Sequence, residues 1–298
     1  MPTFTCVLCG RTGEPSEQAR IRSNVRRFRD QKFLVWRCVD CGSLHCEEVK
    51  DLPAYYEDYP LRREDRLGYF VNRWLGIVLD RLVEAGLNKS DSLLDYGCGT
   101  GLLLEFLRSR GYANCVGFDL YVADFNRPEV LTASYDCIVN FDVIEHVESP
   151  RALVAKFTQI LKPGGLLCIQ TPRADGIRLS DPEEFIHTLH MPYHVHILSE
   201  KALTRLCVEN GLVVQSIHYR WFRDSRMPCA SRRFIERFMR SHGNDMDSAF
   251  EPPKLGIVLA TPALWFYSLF GPLLPSKKKD YMMIMLRKPN LAAHRARA

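Results

Sequence analysis

Acids and histidines cluster in two short segments of this 298-residue chain, Asp142-x-x-Glu145-His146 and His187-x-x-His190-x-x-x-His194-x-His196. Oxygen and imidazole donors in such a pattern suit Mg2+, Mn2+ or Zn2+. A carboxylate beside an imidazole is equally fitted to take a proton from a hydroxyl. The expectation is a metal or general-base site of Asp142, Glu145, His146 and one of His190 or His194. Within it His146, Glu145 and His190 are the catalytic candidates. The competing expectation is structural, with Glu145 and His146 capping the next helix and His196 packing against it.

A second set of residues binds rather than reacts. Asp95-Tyr96-Gly97-Cys98-Gly99-Thr100-Gly101 follows an apolar run, and Gly117-Phe118-Asp119 ends the next one on an acid. Glycines let the backbone approach a ligand closely. A carboxylate at a strand tip can accept hydrogen bonds from ribose hydroxyls. The spacing is not that of a dinucleotide turn, because Leu102 stands where the last glycine would be. Asp95, just ahead of the turn, would repel a diphosphate and suits a cationic ligand.

The third set is Cys6-x-x-Cys9-Gly10 with Cys38-x-x-Cys41-Gly42. Two knuckles can close a tetrahedral four-thiolate zinc site, which leaves no open position and so does structural work only. His45 and Cys46 stand nearby. From residue 20 to 37 run Arg20, Arg22, Arg26, Arg27, Arg29, Lys32 and Arg37 against one acid, Asp30. That stretch reads either as a solvated face or as a grip on RNA phosphates.

These residues need elements to position them. The pattern predicts a strand into the glycine turn, a helix from Leu102 to Arg110, and a second strand ending at Asp119. Tyr135–Phe141 reads as another strand, followed by a helix from Pro150 to Leu161, the turn Lys162-Pro163-Gly164-Gly165, and the strand Leu166–Pro172. Both histidine segments would then leave the carboxyl edge of a parallel sheet and can converge. An amphipathic helix from Tyr69 to Leu87 precedes the sheet, and the strands Leu212–Tyr219 and Tyr281–Leu286 close its antiparallel edge.

In this order the blocks, with E-H-V-x-x-P after the Tyr135 strand and L-K-P-G-G before the next, resemble the class I S-adenosylmethionine-dependent methyltransferases over about residues 65 to 220. The two motifs look most like the branch that methylates small molecules, quinones, lipids and sugars. The resemblance implies an α/β fold, a doubly wound, seven-stranded and mostly parallel sheet. It implies S-adenosylmethionine as cofactor, held by Asp95, Gly97, Gly99, Gly101, Asp119 and Asn140. The glycines would line its methionine end, Asp119 its ribose, and Asn140 the pocket mouth. Some quinone and RNA ribose enzymes resemble the Asp142-x-x-Glu145-His146-His194 arrangement, with a divalent ion held there. One departure is evident: about sixteen residues separate Asp119 from Asp136, so the third strand must be short, around Val130-Leu131. Asp124 and Glu129 are both open as adenine contacts.

The expected organisation is a zinc ribbon over 1–50, a linker with Tyr55-Tyr56-x-x-Tyr59 over 51–68, the cofactor-binding core over 69–220, an insertion over 221–280, and a last strand with a basic tail over 281–298. The insertion opens with Arg220-Trp221-Phe222-Arg223 and then runs uncharged from Leu255 to Pro275, between Lys254 and Lys277-Lys278-Lys279. Length alone permits a membrane span; Pro262, Pro272 and the return to a strand at Tyr281 favour a cap over the site or a helix at a bilayer surface, with peripheral membrane contact through 255–279. Composition, at 46% hydrophobic and 25% charged, is that of an ordinary globular protein, and a net charge of +5 does not demand a polyanionic partner. Eleven cysteines and no charged-then-apolar opening favour a reducing compartment, the cytoplasm, with room for a position at the inner membrane surface. Three functions fit: O-methylation of a small molecule, glycan or lipid-linked acceptor; RNA methylation through the basic ribbon; and a non-catalytic cofactor-binding scaffold.

Overall fold

The computed structural model describes residues 3–290 except 47, 50–51, 57–66, 221–228, 230, 250, 252–253 and 275–278. Tyr59, Trp221-Phe222-Arg223 and Lys277-Lys278 lie outside the described residues. In chain order the elements are β1 (Phe4–Thr5), β2 (Thr12–Gly13), β3 (Glu17–Arg22), β4 (Lys32–Arg37), β5 (Leu44–Cys46), α1 (Leu52–Tyr56) and α2 (Tyr69–Glu84). The core follows with β6 (Leu93–Tyr96), α3 (Leu102–Ser109), β7 (Cys115–Phe118), β8 (Tyr135–Phe141), α4 (Pro150–Ile160) and β9 (Leu161–Pro172). Next come α5 (Ile186–Leu189), β10 (His196–Ile197), α6 (Glu200–Glu209) and β11 (Val213–Arg220). The chain ends with α7 (Arg232–Ser241), α8 (Leu255–Leu259), α9 (Pro262–Phe270) and β12 (Tyr281–Arg287).

The main sheet has the order β11-β12-β9-β8-β6-β7. Neighbours from β7 to β9 are parallel, and β12 runs antiparallel between β9 and β11. Its strands alternate in the way a sheet covered on both faces requires. Leu93, Cys137, Val139, Leu166 and Cys168 face α2 and α3, while Leu94, Ile138, Leu167 and Ile169 face α4 and α6. Ser149 Oγ accepts from the Ala152 N–H at 3.3 Å and Pro150 takes the first helical position of α4. The cap expected of Glu145 or His146 is therefore supplied by Ser149.

Among the described residues the sheet has six strands, one fewer than the resemblance implies. Around Val130-Leu131 the chain forms a 3-10 turn, Pro128–Thr132, instead of a strand. Tyr135 Oη donates to the Val130 carbonyl at 2.6 Å, folding the short connection back on itself. A connection of that length, interrupted by Pro128, cannot hold a strand and its crossover helix as well.

The N-terminal residues are stitched to this core. β1 and β2 form a hairpin, and β3, β4 and β5 form a meander that β10 joins beside β5, giving the order β10-β5-β4-β3. Cys6, Leu8, Trp36, Cys38 and Cys41 share one buried cluster with α4 and α6. Several arginines of the basic stretch are consumed within the fold. Arg22 donates to Glu183 at 2.7 and 2.6 Å, Arg26 to Asp245 and Glu251, and Arg37 to Glu17 and to the Ala174 and Ile177 carbonyls.

The insertion is broken by Thr261-Pro262 into α8, of five residues, and α9, of nine. Among the described residues no helix is long and apolar enough to cross a membrane. Among the described residues, none of the insertion lines the cleft described below. It packs instead on its own α7, and α7 is anchored by a buried Arg232–Asp280 ion pair.

Candidate functional site

A cleft of about 830 Å³ opens at the carboxyl ends of β6, β7 and β8. Gly97, Cys98, Gly99 and Thr100 form its floor, Asp119 to Ala123 one wall, and Asp142, Val143, His146, Val147 and Glu148 the other. Leu52 and Tyr56 of α1 close the top, and the Tyr56 ring stacks on Tyr121 at 4.2 Å.

The glycine turn is wired to the neighbouring strand tip. Gly97 and Cys98 donate their N–H groups to the Phe118 carbonyl at 2.7 and 3.1 Å. Asp119 accepts from Gly99 N–H at 3.0 Å and from Tyr121 and Val122 N–H at 2.8 and 3.1 Å. Three backbone donors orient this carboxylate at the cleft wall. Asp95 sits behind the turn, 4% exposed, and burial with the nearby Asp119 charge pushes its carboxyl up to about 7. Asn140 is fully buried rather than at the mouth. Its Nδ2 donates to the Tyr96 carbonyl at 3.2 Å, and Asp142, two residues on, reaches the cleft. Neither Asp124 nor Glu129 lines the cleft, both being exposed on the 3-10 turns beyond it.

The tip of β8 turns sharply. Asp142 holds a left-handed backbone, φ 54°, which aspartate, asparagine and histidine adopt more readily than other side chains. Gln170 secures it twice, accepting the Asp142 N–H at 2.9 Å and donating from Nε2 to Oδ2 at 3.2 Å. This turn aims His146 at the cleft and drops Glu145 beneath it, fully buried. Thr171 Oγ1 donates to Glu145 Oε2 at 2.9 Å, and Glu145 Oε1 lies 3.9 Å from His146 Nε2.

Behind His146 the histidines stack in file. The His146 and His194 rings cross at 83° with centroids 4.7 Å apart, and His190 follows His194 at 5.1 Å. His194 Nδ1–H donates to the Thr188 carbonyl at 2.7 Å, which makes Nε2 the acceptor nitrogen of the neutral ring. Asn24, from the N-terminal lobe, ends the file: its Oδ1 meets His190 Nδ1 at 2.9 Å and its Nδ2 meets His187 Nδ1 at 3.2 Å. His196 lies apart, in the β10–β5 ladder, with Nδ1 3.0 Å from that of His45.

Of the expected metal set, ligand atoms of Glu145, His146 and His194 lie within 4.8 Å of one another. Asp142 is outside that group because its carboxylate faces Gln170. His190, expected at the front, stands behind His194 and is 1% exposed. Burial and the adjacent His194 hold His146 well below the usual imidazole range, and burial brings His194 down to about 4. Burial, then the Asp142 charge, holds Glu145 well above the usual carboxyl range. Burial therefore favours the uncharged form of the imidazoles and of the carboxyl beneath them.

Cys6, Cys9, Cys38 and Cys41 converge with all four Sγ atoms within 4.8 Å, and the Cys6–Cys41 and Cys9–Cys38 pairs at 3.6 Å. Sequence patterns do not reach Asn24, Thr171 and Tyr121. Each acts across a long stretch of chain, and none stands in a motif that marks it.

The chain matches the methyltransferase-domain family over residues 68–217. It is similar to the ubiquinone biosynthesis O-methyltransferase of Nitrosococcus oceani, 28% identical over 158 residues, which are 43% of this chain and 66% of that protein. It is likewise similar to that of Dinoroseobacter shibae, 30% identical over 149 residues, 40% of this chain and 59% of the relative. The chain thus spans just under two thirds, or less, of the length of these relatives. Among solved structures it is similar to phosphoethanolamine N-methyltransferase 2 of Haemonchus contortus, 15% identical with a TM-score of 0.48, covering 83% of this chain and 62% of that one. A family match that takes in half of the chain settles the question of class: the chain belongs to the methyltransferase-domain family.

Proposed function

We propose that the chain methylates an oxygen of a small molecule, glycan or lipid-linked acceptor, with His146 taking the acceptor's proton. The observation that carries this is the placement of one neutral imidazole on the cleft wall beside Asp142, over the buried Glu145. S-adenosylmethionine supplies a methyl group on a sulfonium, which departs as a neutral thioether. The residues proposed to hold it are Gly97 and Gly99, with Asp119 toward the ribose hydroxyls and Asp95 behind the turn favouring a cation; Gly101, expected among them, is buried against the Phe125 ring and does not line the cleft. Aligning acceptor and methyl is the larger part of the work. The hydroxyl proton passes to His146 as the new C–O bond forms. The imidazolium then returns that proton to water through the cleft that His146 lines, and Glu145 beneath it is proposed to position the ring.

A second reading rests on the converging donors of Glu145, His146 and His194. These would hold a divalent ion, Mn2+ or Zn2+ in preference to Mg2+ because two of three donors are imidazole nitrogens, and the ion would polarise the acceptor hydroxyl. Cys6, Cys9, Cys38 and Cys41 are proposed to hold a structural zinc. Their 3.6 Å sulfur separations are near the edge, about 3.8 Å, of a tetrahedron with zinc–sulfur bonds of about 2.3 Å.

The test is transfer of labelled methyl from S-adenosylmethionine into a cell extract split into RNA, organic-soluble and water-soluble pools. Label in either small-molecule pool supports the reading, nuclease-releasable label in RNA overturns it, and binding without transfer to any pool indicates a scaffold. With an acceptor in hand, His146→Gln should lower kcat by about 10²- to 10⁴-fold while S-adenosylmethionine affinity holds. Full turnover after chelation and metal analysis would exclude the catalytic ion and leave His146 as the base.

A further inference from the structure

The insertion presents two unlike surfaces side by side. On α9 and the turn after it, Trp265, Phe266, Leu269, Phe270 and Leu273 form one stripe at helical spacing, and Leu259 of α8 is exposed as well. These side chains are 47–74% exposed. The opposite side of α9 is already satisfied: Leu264 is 1% exposed and Gly271 packs so tightly on Ser231 that a side chain there would collide with it. The stripe is thus not a core face awaiting closure by its own lobe. An exposed apolar patch of this kind on a folded chain marks an interaction surface.

Charge identifies the partner. From Leu255 to Leu274 no side chain is charged, and the exposed Lys254 stands at the N-terminus of α8. α7, which packs against α9, exposes Arg233, Arg237 and Arg240, again at helical spacing. Its one acid, Glu236, is taken by the buried Arg232 at 2.7 Å. An apolar stripe with an indole, on a helix packed against one that exposes three arginines, matches the boundary between acyl chains and anionic headgroups. A second copy of the chain is a poorer fit, because a twofold contact through this face would bring two arginine rows together. Spanning is excluded by length, since α9 has nine residues.

We propose that α7, α8 and α9 form a docking face for an anionic lipid bilayer, with the α9 stripe seated among the acyl chains and the α7 arginines at the headgroups. The face uses no cleft residue, so it stands apart from the identity of the methyl acceptor.

The experiment is co-sedimentation of the full chain with phosphatidylcholine vesicles, with and without phosphatidylglycerol. Binding should require phosphatidylglycerol and weaken with salt. Trp265→Ser with Leu269→Ser should lower the bound fraction at least about tenfold, and Arg233→Gln with Arg237→Gln should remove most of the salt dependence. Melting temperature and S-adenosylmethionine affinity should stay unchanged in both variants, which separates lost docking from lost folding. No binding to either vesicle, or equal binding by parent and variants, overturns the proposal. So does concentration-dependent dimerisation abolished by Leu269→Ser, which would assign the stripe to a second copy. A failed methyl-transfer assay leaves vesicle binding intact, and failed vesicle binding leaves transfer intact.

Discussion

Gly97 and Gly99 both hold left-handed backbone, φ 83° and 52°, yet a side chain would harm them differently. A Cβ on Gly97 would lie 2.1 Å from Val143 Cγ2, in the loop that aims His146. A Cβ on Gly99 meets nothing within 4 Å, because that position faces the open cleft. Gly97→Ala should therefore cost about 2–5 kcal/mol of stability, from left-handed strain plus overpacking. Gly99→Ala should cost only the strain, about 1–2 kcal/mol, but weaken S-adenosylmethionine binding more than Gly97→Ala does in the protein that remains folded. Urea unfolding and calorimetric titration of the two variants separate these effects. Equal losses in both measurements would mean that the turn acts as one rigid unit. The turn itself was legible in the sequence, since glycine spacing and a strand-tip acid are local signals. Asn24 was not, because it reaches His190 across 166 residues and no spacing rule connects them.

Elements are held by pairs whose strength depends on burial. Arg232 opens α7 at 5% side-chain exposure and meets Asp280, 8% exposed, just ahead of β12. Arg26 joins the N-terminal lobe to the insertion through Asp245 and Glu251 but is 47% exposed. Removing one partner of a buried pair strands the other without water, at about 3–5 kcal/mol, whereas an exposed pair contributes about 0–1 kcal/mol. Arg232→Ala should thus destabilise strongly in chemical denaturation and Arg26→Ala little; comparable small effects would mean that Asp280 regains water when α7 loosens. Strand positions were readable because alternation such as Leu93-Leu94 against Cys137-Ile138 reports directly on which face each residue buries. The insertion's placement was not, since an apolar run such as Leu255–Leu274 does not say which surface it will lie against. The missing strand follows the same logic: Val130-Leu131 has strand composition, and the short connection overrides it.

On the scale of the whole molecule, the cysteine knuckles are joined to the catalytic core rather than hung from it. The Ser199 N–H at the start of α6 donates to Ser43 Oγ at 2.9 Å, and Ser199 Oγ donates to the Cys41 carbonyl. β10 adds to the lobe's sheet, and the four cysteines lie against the cluster that backs α4 and α6. A structural zinc bound here would then stabilise more than its own lobe, because losing it would free the thiols inside a shared core. Zinc binding in small structural sites is worth about 10–16 kcal/mol. If only about 5 kcal/mol of this were coupled to the core, the melting temperature would fall by about 10–20 °C. We expect a strong chelator to remove one zinc per chain and to lower a single, shared melting transition by that order. Cys38→Ser should reproduce the shift without chelator. An early melt of the lobe alone, with the core transition unmoved and S-adenosylmethionine affinity retained, would show instead that the contacts across Ser199 and β10 are too weak to transmit the loss.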